Sequence, residues 1–221
     1  MNSGTGWVAA GSRALLMDYG GVLTSPVQDA FASFEADLGL PAGRSFSLLR
    51  EASRDADGGV IGALERGELD VADFDARLHR LLVDAGYRVA EGTGLVEGLF
   101  AGMQPAGHLW AVAEEVRGEG VCTALLSNSW GLSAYPFDRL AGTFDTLVLS
   151  GEVGLRKPDP RIYELASARV GVAPAACVFV DDLQRNVTAA EQVGMQGIHH
   201  TGDDAATRAA ILDALGLAAS P

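Results

Sequence analysis

Positive charge is scarce in this chain and lysine is nearly absent. Of its 16 basic residues 15 are arginine, and the one lysine is Lys157. Against them stand 29 acids, which leaves a formal charge of −13. That balance provides no basic patch, so neither nucleic acid nor an anionic membrane surface is expected as a partner. Long apolar runs are missing as well: none approaches the roughly 18 residues that a membrane-crossing helix needs. The opening residues, MNSGTGWVAAGS, have neither the charged start nor the apolar stretch of a secretory signal. Residues 1–12 are expected to be a flexible leader and the protein cytoplasmic. Cysteine is limited to Cys122 and Cys177, each near the start of an apolar run. Two buried free thiols fit a reducing compartment better than a disulfide.

What is present is a regular alternation over 221 residues, 48% of them hydrophobic, enough for one sizeable domain and an insertion. Five short apolar runs read as buried strands: 14–17 (ALLM), 121–126 (VCTALL), 146–149 (TLVL), 177–180 (CVFV) and 196–200 (QGIHH). Helical stretches lie at 106–117, 160–170 and 186–193; the first places Leu109, Val112, Ala113 and Val116 on one face. Strands alternating with helices predict right-handed crossovers and a parallel sheet covered on both faces, an α/β, Rossmann-like core. Four runs end at a polar residue: Asp18, Ser127, Ser150 and Asp181. In an open α/β sheet those carboxyl ends are where ligands bind.

The gap between the first two strands is different. It shows helical periodicity (Val27, Phe31, Phe34, Leu38, then Phe74, Leu78, Leu81, Leu82 behind an N-cap at Asp70) and no strand. About 80 residues without a strand are too many for one crossover. They predict a helical cap of about four helices inserted after the first strand. The expected division is a core of residues 13–23 and 106–221, with a cap of residues 24–105.

Four chemical elements line up in chain order. Asp18 ends the first strand in MDYGGVLT, Ser127 the second in LLSNSWG, Lys157 sits in GEVGLRKPDPRIY, and Asp181-Asp182 close a strand in VFVDDLQRNV. A strand-end carboxylate can attack a phosphoryl group and form an acyl phosphate. A phosphate monoester is dianionic, so such an attack needs positive charge and hydrogen-bond donors around it. Mg²⁺, a hard ion that takes one or two carboxylates, suits this acidic set. Lys157 adds a compact point charge that arginine's planar fork does not replace. Simpler roles exist for some of these groups: Ser127 as a helix N-cap, the Asp181-Asp182 pair as acids at a helix start, Trp130 as packing.

With these motifs, from about residue 13 to 200, the chain resembles the haloacid dehalogenase-like hydrolase superfamily, in particular its phosphatase-type members. The resemblance implies a strand order of 3-2-1-4-5. It implies Asp18 as nucleophile and metal ligand, Gly20 as a ligand through its carbonyl, Asp182 as direct carboxylate ligand and Asp181 beside it. Ser127 and Lys157 are implied to hold the transferring phosphoryl group. Asn128 and Trp130 are candidate substrate contacts beside them, Trp130 equally a packing residue, and Asn186 is expected to brace the loop after Asp182. His199 and His200 suggest a metal pair by adjacency alone; neighbours on a strand face opposite ways, and a solvated strand end is expected.

The departure from the family is Gly20. Phosphatase members carry an aspartate two residues after the nucleophile that protonates the leaving alcohol, and general acids of this kind are worth about 10²–10⁴ in rate. Three readings follow. The preferred one is a Mg²⁺-dependent phosphatase for a small phosphorylated metabolite whose leaving group needs little protonation or finds its proton elsewhere. A second is the dehalogenase branch, where halide leaves unprotonated but no metal needs the Asp181-Asp182 pair. A third is a non-catalytic domain that binds a phosphorylated ligand or a protein. Monomer and homodimer are both open.

Overall fold

The computed structural model describes residues 12–54, 58–90, 94–133 and 135–217. Apart from Ser12, the expected leader lies outside them. A five-stranded parallel sheet forms the centre: β1 Ala14–Met17, β2 Cys122–Ser127, β3 Thr146–Leu149, β4 Cys177–Asp181 and β5 Gln196–His199. The strands are ordered β3-β2-β1-β4-β5, every pairing parallel. The Rossmann-like arrangement is therefore as the alternation of runs predicts. Two strands extend one residue past the expected apolar run, because the polar Ser127 and Asp181 still pair within the sheet.

Side chains alternate across β1 with the period of two that a strand imposes. Leu15 and Met17 face one layer, where Leu109, Val112, Ala113 and Val116 of α6 (Gly107–Gly118) meet Ile211 and Leu212 of α11 (Asp204–Ala214). Ala14 and Leu16 face the other, with Ile162, Tyr163 and Ala166 of α9 (Pro160–Val170) and Ala189 and Ala190 of α10 (Gln184–Gln192). Shorter helices, α7 (Phe137–Thr143) and α8 (Ser150–Val153), link the strands between them.

The inserted cap has five helices among the described residues, not about four: α1 Val27–Asp37, α2 Arg44–Ala52, α3 Gly59–Glu65, α4 Val71–Asp84 and α5 Leu95–Ala101. Asp70 caps α4 as expected, accepting from the Asp73 N–H at 2.7 Å. These helices enclose an apolar cluster of their own, built on Phe31, Phe34, Leu49, Phe74, Leu78, Leu82, Leu95 and Leu99. The two segments that join cap to core run side by side: Ser25 N–H donates to the Gln104 carbonyl, and Thr24 bridges Pro105. The Trp110 indole N–H reaches the Leu23 carbonyl at 2.8 Å and pins this connection to α6.

This order places the two cysteines apart. Cys122 and Cys177 both lie opposite Ala14, one on each side of β1. They are two strand spacings apart, about 9–10 Å, beyond the about 7 Å a disulfide tolerates. Thiol titration of the denatured protein without reductant is expected to count two, with Cys122 the faster to label in the folded state because Cys177 is fully buried. A count of zero would contradict the strand order.

Candidate active site

Chain direction across the sheet reverses beside β1, since β2 and β3 lie on one side of it and β4 and β5 on the other. The crevice beyond the strand ends at such a reversal is a binding position in α/β sheets. Asp18 follows β1 directly, tied to the sheet by its N–H to the Val180 carbonyl. Ser127 ends β2 and Asp181 ends β4, with Asp182 next. Lys157 reaches the same point from the loop before α9. That loop is fixed by its own sequence: Asp159 accepts from the Arg161 N–H as N-cap, and Pro160 starts the helix with its φ preset.

Lys157 joins the strand ends. Its Nζ lies 2.8 Å from Asp18 Oδ1 and 2.6 Å from Asp181 Oδ2, and the residue is 1% exposed. Burial works against its charge, but Asp18 and Asp181 outweigh that and hold its pKa above the usual lysine value. Asp181 is completely buried and also accepts from the Leu183 N–H and from Asn186 Nδ2. Asn186 thus braces Asp181 itself, and its own carbonyl accepts from the Tyr163 hydroxyl.

Asp18, Asp181 and Asp182 bring carboxylate oxygens within 4.8 Å of one another. Three carboxylates against one ammonium leave excess negative charge in a buried place. Burial pushes Asp18 up to about 8, with Lys157 opposing and Asp181 adding to the rise. Burial, then Asp181, pushes Asp182 up to about 6. Hard oxygen donors with unbalanced negative charge suit a hard divalent cation. The loop after Asp18 is shaped for this proximity. Gly21 has φ +75°, and a Cβ on it would stand 2.6 Å from Asp182 Oδ2, so only glycine lets the loop and that carboxylate coexist. Gly20 has no such backbone requirement. A Cβ there would meet Val27 Cγ2 at 3.1 Å and Met103 Cε at 3.8 Å, so the place beside it is walled by apolar side chains.

The other expected residues have defined partners. Ser127 is buried and shares a 2.8 Å hydrogen bond with the Tyr135 hydroxyl. Asn128 spans the Lys157 peptide, accepting from its N–H at 2.8 Å and donating to its carbonyl at 3.1 Å. Trp130 packs between Phe31 and Phe74 of the cap and donates to Glu65. His199 bonds the Asp182 carbonyl at a solvated position. His200 corrects the expectation of a solvated strand end: it is 7% exposed, with Nδ1 2.8 Å from the Thr207 hydroxyl, because α11 packs over it. Three groups near the site carry no sequence signal. Tyr135, held well above the usual tyrosine value by burial, stands in a loop. Glu65, buried, and Arg156, partly buried, form an ion pair between cap and core.

A family model described as haloacid dehalogenase-like hydrolase matches residues 13–194. Mouse acyl-CoA dehydrogenase family member 10 is 28% identical over 205 residues, which cover 88% of this chain but 19% of that protein. The sesquiterpene phosphatase astK of Aspergillus oryzae is 27% identical over 197 residues, covering 86% of this chain and 90% of that one. This chain therefore spans under a fifth of the first relative and most of the second. In fold, it is similar to a HAD family enzyme from Bacteroides thetaiotaomicron solved in complex with magnesium and inorganic phosphate. That likeness has a TM-score of 0.65 at 20% identity, over 88% of this chain and 98% of the other.

The raised carboxyl group of Asp182 has a stability consequence whose sign is fixed. Its pKa is about 6 in the fold against an ordinary 3.8. Between those values the folded state holds more protons than the unfolded one, so its contribution to stability is present at low pH and is lost as pH rises. In chelator, Asp182→Asn is therefore expected to gain melting temperature relative to wild type between about pH 4.5 and about pH 7.5. A difference independent of pH would show that Asp182 is an ordinary solvated acid.

Proposed function

The chain belongs to the haloacid dehalogenase-like hydrolase family, and from that membership we propose that it hydrolyses phosphomonoesters through an aspartyl-phosphate at Asp18. The observation that carries this reading is the clustering of the Asp18, Asp181 and Asp182 carboxylates at the strand ends, with one buried ammonium paired to the first two. A set of three carboxylates serves a cation that helps an anion approach an anion. Halide displacement from a neutral carbon has no such need.

The residues divide the work as follows. Asp18 Oδ1 is anchored by Lys157 and by the Tyr19 N–H at 2.7 Å, which makes Oδ2 the oxygen available to attack phosphorus. The bond from Oδ2 to phosphorus forms as the bond to the leaving oxygen breaks. Lys157 holds positive charge beside the nucleophile throughout, and Ser127, oriented by Tyr135, offers its hydroxyl to a phosphoryl oxygen. Water then cleaves the acyl phosphate, which releases inorganic phosphate and restores Asp18. Asp18, Asp181, Asp182 and the Gly20 carbonyl are the groups that would hold Mg²⁺. That ion, when bound, supplies positive charge to the phosphoryl oxygens and brings the Asp18 carboxyl back to its ionised form.

The substrate is read as a small phosphorylated metabolite. With glycine at position 20 and Val27 and Met103 beside it, this part of the site provides no acid for the departing oxygen. A leaving group of low pKa, or one protonated by solvent, fits that wall. The same feature favours one competing outcome, a haloacid substrate whose halide leaves unprotonated.

A series of phosphomonoesters of graded leaving-group pKa, with haloacids alongside and with Mg²⁺ or chelator, tests the reading. Aryl esters are expected to turn over far faster than alkyl esters, and only with Mg²⁺. Gly20→Asp should help the poorest leaving groups most, by up to about 10²-fold, provided Val27 yields a few tenths of an ångström. A shallow dependence in wild type would mean that another group donates the proton. Haloacid turnover in chelator would replace this reading with the dehalogenase one.

The lysine is tested separately. Lys157→Arg keeps the charge but places a larger planar head where one ammonium meets two carboxylates, and a loss of at least about 10²-fold in kcat is expected. Wild-type turnover in that variant, measured on the best ester of the series, would remove Lys157 from the reaction.

A further inference from the structure

A second buried group of charges lies where the cap meets the core. Glu65 ends α3 and is 8% exposed. The side chains that meet its carboxylate are donors: Arg156 at 2.6 Å, Trp130 Nε1 at 3.2 Å and Asn128 Nδ2 at 3.3 Å. The Arg156 Nε–H is not directed at the oxygen, so that contact is an ion pair rather than an aligned hydrogen bond. The Glu65 carbonyl accepts from the Ser150 hydroxyl. Two residues on, Gly67 runs so close to Gly151 that a Cβ would overlap the Gly151 carbonyl, so cap and core backbones touch here.

Two of the partners of Glu65 bear on Lys157. Arg156 precedes it in the chain, and Asn128 brackets its peptide from both sides. An asparagine amide has two N–H groups. One goes to the Lys157 carbonyl and Glu65 accepts the other, which fixes the face that Asn128 presents. Turned over, the amide would set its own NH₂ against the Lys157 N–H.

We propose that Glu65 is a positioning residue through which the seated cap fixes Lys157, gripping the Arg156 side chain directly and the Lys157 peptide through Asn128. The proposal rests on the reading that Lys157 takes part in phosphoryl transfer, and it adds that the lysine is correctly placed only with the cap down. A carboxylate is required because Trp130 and Asn128 donate to its two different oxygens and Arg156 needs its charge. Glutamine of the same shape turns an NH₂ toward one of these donors and leaves Arg156 without its counter-charge at a contact largely shielded from water.

The single lysine makes this measurable without turnover. A full chain grown on isotope-labelled lysine gives one lysine side-chain resonance, that of Lys157. Glu65→Gln is expected to shift that resonance and to lower kcat about tenfold, with KM for a small aryl phosphate within about twofold. Ser150→Ala is the control: it removes the hydroxyl that donates to the Glu65 carbonyl and accepts from the Ser129 N–H, which loosens the same contact but keeps the Glu65 carboxylate and all three of its side-chain partners. It is expected to lower the melting temperature without moving the resonance. A resonance unmoved in Glu65→Gln, or moved equally in Ser150→Ala, overturns the proposal. Should wild type turn over no phosphomonoester, the proposed reaction fails and the resonance still decides the positioning. Should Glu65→Gln not fold, Arg156→Gln takes its place, with the same shift expected and an unmoved resonance again decisive.

Discussion

Lys157 is 1% exposed, and an ammonium taken out of water loses hydration worth several kcal/mol unless opposite charge and hydrogen bonds replace it. Asp18 and Asp181 supply that charge, which makes the neighbouring architecture mutually dependent. Asp181, buried in its turn, draws on the Leu183 N–H and the Asn186 amide. Asn186 can do this only because Tyr163 holds its backbone from α9, the helix that begins three residues after Lys157. The loop carrying the lysine and the helix bracing its partner are thus one continuous piece. Loss of Lys157 leaves buried carboxylates without their counter-charge, and loss of Asn186 or Tyr163 removes a hydrogen bond that supports them.

The same charge balance explains how this acid cluster is tolerated. One ammonium cannot satisfy three carboxylates, and burial, with repulsion from Asp181 added to it, raises Asp18 and Asp182. Protons relieve the repulsion at low pH, and a divalent cation would relieve it while leaving Asp18 ionised. Electrostatic imbalance here is a stored affinity for cations. It places the cost of assembling the site on folding of the core, so that little reorganisation is left for the reaction itself.

Much of this was legible from the residues, for a physical reason. Strands buried on both faces read as unbroken apolar runs, so β1 to β4 stand out, and a polar residue closing such a run is conspicuous. Asp18, Ser127 and Asp181 were found that way, and Lys157 by being the chain's sole lysine. What failed to show depends on contacts distant in sequence. The seven-residue helices α3 and α5 are too short for a periodic signal, which is why the cap seemed to have about four helices. Helix α11 turns only Ile211 and Leu212 of its large apolar residues into the core, and with it went the burial of His200. Tyr135, Glu65 and Arg156 stand in loops or at an element end, and nothing local marks them before the chain is folded.

The glycine pair after Asp18 combines two different demands. Gly21 is set by geometry: its positive φ and the closeness of Asp182 leave room for no side chain. Gly20 is not, since its backbone accepts any residue and only Val27 and Met103 crowd the space. Loss of an acid there is therefore a chemical choice and not a by-product of the turn. Restoring the acid would put another carboxylate beside a set already short of positive charge, and would raise Asp18 further in the absence of a cation. The apolar wall of Val27 and Met103 adds no further negative charge beside Asp18.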